Sequence, residues 1–236
     1  MHRAGQVVRE VLELVRCKVK PGATTYDLEK AAEARVNELG VRAAFKGYHG
    51  FPCMLCTSVN SEVVHGIPSP KRVLKEGDIV SLDFGVVVDG YYGDAAITVP
   101  VGEIDEKARK LLKVTEASLK AGIAAVKPGA TLGDVGAAVQ EVVEGGGFSV
   151  VRDFVGHGIG ASMHEDPQVP NFGLAGRGMK LKTGMVIAIE PMVNAGGPDV
   201  RVLEDGWTAV AKDGSMSAHF EHTVAVTADG ARILTE

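Results

Sequence analysis

The sequence has no run of about 18 apolar residues, the least a membrane-crossing helix needs, so no such helix is expected. Its first twenty residues keep charges throughout and lack an unbroken apolar core, which argues against a secretory signal. It has no basic or arginine-rich block, and acidic residues outnumber basic ones to give a net charge of -5. Both absences count against nucleic acid as a partner. Cysteine is scarce: three residues, an odd number, do not make a disulfide framework and fit a reducing, cytoplasmic setting. Cys53 and Cys56 have zinc-knuckle spacing, but no second ligand pair follows to close a four-ligand site. What remains is an ordinary globular composition, 45% apolar and 23% charged. At 236 residues it suits one large domain or two closely packed halves.

Over residues 3–17, Val7, Val8, Val11, Leu12 and Val15 recur at helical spacing, and Pro21-Gly22 ends the pattern. Thr24-x-x-Asp27 reads as the start of a second helix, running to Leu39 and stopping at Gly40. Residues 43–70 are punctuated by Gly, Pro and Ser, with short apolar runs at 53–59 and 62–64. A long helical pattern spans Asp105 to about Val126. Another helix starts at Thr131-x-x-Asp134 and ends in Gly145-Gly146-Gly147. The remainder reads as short strands and glycine-rich loops, with apolar runs at 150–155, 185–193, 200–203, 207–211 and 220–227.

The segment Asp78–Val99, DIVSLDFGVVVDGYYGDAAITV, is a hairpin signal: Asp89-Gly90 separates two apolar runs. With those two residues as the turn, Val88 faces Tyr91, Gly85 faces Asp94 and Asp83 faces Ala96. Asp83 and Asp94 then share one face, diagonal neighbours with Cβ atoms about 7 Å apart. Two buried like charges repel, so a cation between them or a proton on one is required.

An internal repeat extends this argument. Val19-Lys20-Pro21-Gly22-Ala23-Thr24 recurs as Val126-Lys127-Pro128-Gly129-Ala130-Thr131, an offset of 107 (126 minus 19). Leu74-Lys75-x-Gly77 recurs at the same offset as Leu181-Lys182-x-Gly184, and Asp83 falls on Glu190. Asp94-Ala95-Ala96-Ile97-Thr98-Val99 resembles Glu221-His222-Thr223-Val224-Ala225-Val226 once an insertion is allowed. Two related α+β halves are expected, each sending two acids to a shared axis. Four such acids, Asp83, Asp94, Glu190 and Glu221, suit a pair of divalent cations. Three histidines sit in turn-rich settings: His65 before Gly66-Ile67-Pro68, His157 within Gly156-His157-Gly158-Ile159-Gly160, and His164 after Met163. His2 is terminal, His49 reads as loop, and His219 and His222 read as strand residues flanking Glu221.

The ordered set Asp83, Asp94, His157, Glu190 and Glu221 resembles the dinuclear site of methionine aminopeptidases, within the wider pita-bread metallopeptidase family. The segments VVHGIP, SLDFG, GYYGDAAITV, GHGIG, MHEDPQVPN, MVIAIEPM and HFEHTVAV carry the resemblance across nearly the whole chain. It implies an α+β pita-bread fold: one catalytic domain over residues 1–236, with pseudo-symmetric halves of about 1–104 and 105–236 around a central antiparallel sheet flanked by helices. It implies removal of the initiator methionine from nascent proteins with a small second residue, by a water that bridges two metals. Asp83 and His157 then correspond to ligands of different metals, Asp94 and Glu221 to bridges, and Glu190 to a ligand that also shuttles the proton. His65 and His164 correspond to groups that hydrogen-bond the scissile amide and the developing oxyanion. Tyr48, Phe51, Cys56, Met163 and Trp207 correspond to the methionine pocket. Phe51 and Met163 stand where bacterial members usually carry Tyr and Phe, and Val64 where a Cys often precedes the histidine. The absence of a long insertion between His164 and Glu190 points to the shorter, type I subfamily. Co, Mn, Fe or Zn all suit such a mixed carboxylate-imidazole site. The partners implied are the N-terminal Met of polypeptides and, as a second candidate, the ribosome, with no nucleic-acid substrate and no membrane; a cytoplasmic monomer is expected.

Three rival readings share part of this pattern. An Xaa-Pro aminopeptidase or dipeptidase has the same metal site but usually carries a further domain before it. A non-catalytic peptide-binding relative should lack a ligand, and all five are here. A calcium-stabilised protein does not explain an imidazole ligand.

Overall fold

The computed structural model describes residues 1–236. Four α-helices are present: α1 (His2–Arg16), α2 (Thr25–Leu39), α3 (Glu106–Ala124) and α4 (Leu132–Gly145). The first-half strands are β1 (Arg42–Ala43), β2 (Leu55–Val59), β3 (Glu62–Val64), β4 (Ile79–Val88) and β5 (Tyr91–Pro100). After α4 come β6 (Ser149–Val150), β7 (Gly156–Gly158), β8 (Glu165–Val169), β9 (Val186–Ile189) and β10 (Met192–Asn194). The chain ends with β11 (Val200–Val202), β12 (Ala209–Ala211), β13 (Ser217–His219), β14 (Glu221–Thr227) and β15 (Gly230–Ile233).

The repeat is visible in hydrogen bonds as well as in letters. Thr24 and Thr131 each cap a helix through a reciprocal box with Asp27 and Asp134. Gly22 N–H donates to Leu74 O at 2.8 Å, and Gly129 N–H donates to Leu181 O at 2.9 Å. Leu74 N–H donates to Ala23 O and Leu181 N–H to Ala130 O, at 2.8 and 2.7 Å. The shared Lys-Pro-Gly-Ala-Thr segment thus ties each helix start to the chain entering the matching strand, β4 or β9.

The main sheet runs β1-β4-β5-β14-β9-β7-β8, with β2 also on β4 and β15 also on β14, and its ladders are antiparallel. The β4–β5 hairpin has the register expected from Asp89-Gly90: Val88 opposes Tyr91, Gly85 opposes Asp94 and Asp83 opposes Ala96. Asp89 and Gly90 both have positive φ, 52° and 81°, as a two-residue I′ turn requires.

Side-chain parity decides which face meets the helices. Leu82, Phe84 and Ala95 pack under α1 and α2 with Val8, Val11, Leu12 and Leu28. Ile187, Ile189 and Val224 pack under α3 and α4 with Leu119, Ile123, Leu132 and Val135. Each of the larger side chains contributes about 1.5–3 kcal/mol on burial, and a one-residue slip would forfeit all of them at once. That preference forces the alternate residues, the acids among them, onto the opposite face.

At the centre, β5 and β14 pair only at Ala95–His222 and Ala96–Glu221. The strands then splay, and a threonine hydroxyl closes each gap. Thr223 Oγ1 donates to Asp94 O (2.8 Å) and accepts from Asp94 N–H (3.1 Å). Thr98 Oγ1 donates to His219 O (2.7 Å) and accepts from His219 N–H (2.8 Å). Three local differences from the sequence reading stand out. Of 150–155 only Val150 is strand; β7, β8 and β15 lack the apolar runs that would announce them; and Glu190 lies between β9 and β10 rather than within a strand. Pro191 explains the last, since it has no N–H to donate and restricts the residue before it.

Candidate functional site

One sheet face carries the acids. Asp83 opposes Ala96, which opposes Glu221 on the next strand; Asp94 shares that parity. Further along, Thr223 opposes Ala188, and Ala188 opposes His157. Two short rows result, Asp83–Ala96–Glu221 and Thr223–Ala188–His157, each with an alanine at its middle whose small size leaves open volume above the sheet. Glu190 enters from the break after β9.

The chain around His157 is built for close approach. A Cβ added at Gly156 would lie 2.2 Å from Ala188 O, and one at Gly158 would lie 2.3 Å from Asp166 O. Only glycine on either side lets this short strand fit between β8 and β9. His157 Nδ1–H donates to Gly158 O at 2.8 Å, which leaves the Nε2 lone pair facing the acids. Nε2 is 3.6 Å from Glu190 Oε1 and 3.9 Å from Asp94 Oδ2.

The carboxylates are buried and under-satisfied. Asp83 Oδ1, Asp94 Oδ1 and Glu221 Oε1 are shielded from solvent and have no hydrogen-bond partner. One ligand atom from each of Asp94, His157 and Glu221 lies within 4.8 Å of the others. Burial pushes the Asp94 carboxyl up to about 7. Burial, then the neighbouring acids, push Asp83, Glu190 and Glu221 well above the usual carboxylate range. Burial and nearby His164 push His157 down to about 4, so it is a neutral, lone-pair donor near pH 7. Orphaned carboxylate oxygens facing a neutral imidazole are the donor set a divalent cation needs.

All twelve candidate residues line one cavity of about 440 Å³, together with Phe45 and His49. His65 has a left-handed backbone (φ 61°). Its turn is pinned to β2, where Gly66 N–H donates to Ser58 Oγ and Thr57 N–H donates to Gly66 O. Burial, then His164, push His65 down to about 4. His164 stacks edge-on against His157 (centroids 4.3 Å apart), and its Nδ1 is 2.7 Å from the Tyr48 hydroxyl. Phe51 meets Trp207 edge-to-face at 5.2 Å, with Met163 and Cys56 buried beside them. Asp205 accepts from the N–H groups of Trp207 and Thr208, both at 2.9 Å, and so fixes the indole's loop.

Two features escaped the sequence reading. The Tyr48 hydroxyl contacts His164 rather than serving only as pocket wall. His219, read as a strand residue, is fully buried with Nε2 3.7 Å from Glu190 Oε2. Its parity with Glu221, two residues on, was the available signal.

A buried acid-imidazole cluster at the floor of a partly apolar cleft, on a pseudo-two-fold sheet, defines a metallopeptidase-type centre. The chain belongs to metallopeptidase family M24, whose model matches residues 1–228. It is 52% identical over 235 residues to a methionine aminopeptidase of Clostridium acetobutylicum, covering all of this chain and 94% of that protein. The crystal structure of methionine aminopeptidase from Thermotoga maritima matches with a TM-score of 0.98 and 52% identity, covering 100% of this chain and 95% of that one. A prolidase from Pyrococcus horikoshii has a TM-score of 0.79 at 21% identity. This chain spans 60% of its length, and the likeness is one of fold alone. The α+β pita-bread architecture expected from the sequence is the one observed.

Proposed function

We propose that this protein is a metal-dependent aminopeptidase that removes the N-terminal methionine of polypeptides, with its two halves (about 1–104 and 105–236) acting as one catalytic domain. The observation that carries the reading is the cluster of buried, unpartnered carboxylate oxygens facing the His157 lone pair beside an apolar pocket. Full-length 52% identity to methionine aminopeptidases favours this reading over an Xaa-Pro peptidase, for which the likeness is one of fold.

Asp83, Asp94, His157, Glu190 and Glu221 would hold two divalent cations, Mn, Fe, Co or Zn, with Asp94 and Glu221 shared between them. Bound there, the cations would acidify a water and polarise the scissile carbonyl. Glu190, whose proton affinity burial raises, accepts the water's proton and returns it to the leaving nitrogen. The Tyr48 hydroxyl is 2.7 Å from His164 Nδ1; with the hydroxyl as donor, His164 would present Nε2–H to the substrate. His65 and His164 steady the scissile amide and the oxyanion. The thioether side chain lies among Tyr48, Phe51, Cys56, Met163 and Trp207, a lining of soft and aromatic groups that suits sulfur. The substrate's second residue is small, the protein acts in the cytoplasm as a monomer on new chains, and the ribosome is a candidate partner.

The test is release of Met from Met-Gly and Met-Pro peptides, run beside Xaa-Pro peptides that lack Met. Met release abolished by a chelator is expected; cleavage confined to the Xaa-Pro peptides would overturn the reading.

A further inference from the structure

Beneath the cavity floor lies a group the proposed mechanism does not use. His219 is 1% exposed, and neither ring nitrogen has a hydrogen-bond partner. An unpaired imidazole so deep in a protein is rare, because burying an unsatisfied donor and acceptor is costly. Oε2 of Glu190 lies 3.7 Å from its Nε2. The other oxygen of the same carboxyl, Oε1, is 3.6 Å from His157 Nε2. Glu190 therefore stands between two imidazoles, one at the cation cluster and one behind it.

The backbone of His219 is held firmly. Thr98 Oγ1 bonds both its N–H and its C=O, and Ser81 Oγ lies 2.8 Å from Thr98 Oγ1. His219 also opposes Met192 in the β10–β13 ladder. Glu190 itself lies outside any ladder, with its carbonyl held by Asn171 Nδ2–H at 3.0 Å. An imidazole on an anchored backbone, directly behind a carboxylate that no ladder holds, is placed to set that carboxylate's orientation.

We propose that His219 is a positioning residue for Glu190: it donates Nε2–H to Oε2 and so keeps Oε1 turned toward His157 and the cation cluster. The 3.7 Å separation exceeds a formed hydrogen bond. A small rotation of the Glu190 side chain closes it, as hydrogen bonds at catalytic centres commonly tighten in the working complex. The inference rests on the proton-carrying role proposed above for Glu190.

The experiment compares His219→Leu and His219→Gln in the full chain, by Met release and by calorimetric Mn²⁺ binding. Partners of this kind change activity or metal affinity by about 10–100-fold. His219→Leu should lower kcat by that order, leave KM little changed and weaken Mn²⁺ binding. His219→Gln, which keeps an N–H donor, should recover most of both. A folded His219→Leu protein with unchanged kcat and Mn²⁺ affinity, or a Gln variant as impaired as the Leu variant, overturns the proposal. Should neither variant fold, ¹⁵N spectra of the histidines in the unsubstituted protein and in Glu190→Gln decide it. A proton on Nε2 of His219 that shifts with Glu190→Gln supports the contact; a proton on Nδ1, or no shift, overturns it. Full activity of Glu190→Gln would instead sink the proton-carrying reading, a separate outcome.

Discussion

Gly156→Ala tests the strand packing that delivers His157. The new methyl would lie 2.2 Å from Ala188 O, and no ordinary contact is shorter than 3.0 Å, so either β7 or β9 must move. Movement of β7 carries His157 away; movement of β9 carries Glu190 away. The required shift is several times the ~0.2 Å tolerance of metal-ligand distances. Overpacking of this kind costs about 1–3 kcal/mol. In a chain this long, that lowers Tm by about 2–12 °C. Mn²⁺ affinity should fall by about ten-fold or more, since ligand and partner no longer face each other. Thermal unfolding by circular dichroism and Mn²⁺ calorimetry read the two effects. Gly145→Ala is the control: its methyl meets nothing within 4 Å, and it should leave both unchanged or raise Tm slightly. A Gly156→Ala protein with unaltered Tm and Mn²⁺ affinity would refute the close-packing argument.

Three further outcomes follow from the same geometry. Thr223→Val strands the N–H and C=O of Asp94 in the interior and should cost about 1–3 kcal/mol in denaturant unfolding; a cost near zero would mean the hydroxyl does not bridge the splayed strands. Burial raises the pKa of Asp94 and the other three acids, so without cations the folded state holds protons that the unfolded chain sheds near pH 4. That contribution is complete below about pH 4 and is lost as pH rises through the folded values, about 7 for Asp94. Cations displace those protons, so the Tm gain from Mn²⁺ should be larger at pH 8 than at pH 5; a pH-independent gain would contradict it. Tyr48→Phe removes the hydroxyl that orients His164 and should lower kcat more than it raises KM for Met-Gly peptides; an effect on KM alone would return Tyr48 to the pocket wall.

Much of this architecture could be read from residue order, for identifiable reasons. The β4–β5 hairpin was legible because Asp89-Gly90 permits one tight turn and the period-two pattern then fixes the faces. The offset of 107 was legible because Pro-Gly-Ala-Thr meets the same capping demand twice. The twelve candidate residues line one cavity, but parity and the repeat account only for the four acids; the roles of the histidines and the methionine-pocket residues were legible only through the family resemblance. The rest depends on contacts the local pattern does not encode. The strand carrying His157 has two glycines, chosen for what they leave out, so it offers no apolar signal. Glu190 drops out of its ladder because Pro191 cannot extend it. Thr98 and Thr223 look like ordinary strand residues until β5 and β14 splay apart. His219 looked like one of two flanking histidines, and only the depth of its burial beside Glu190 separates it from His222.

The acid-imidazole face works by holding cations. Bound Mn²⁺ per chain, measured by elemental analysis alongside Met release from a Met-Ala-Ser peptide, tests it in one series from chelated to fully loaded protein. Metal-free protein should release no Met, and release should climb with bound Mn²⁺ toward about two per chain. Undiminished Met release from a chain carrying no metal would contradict it.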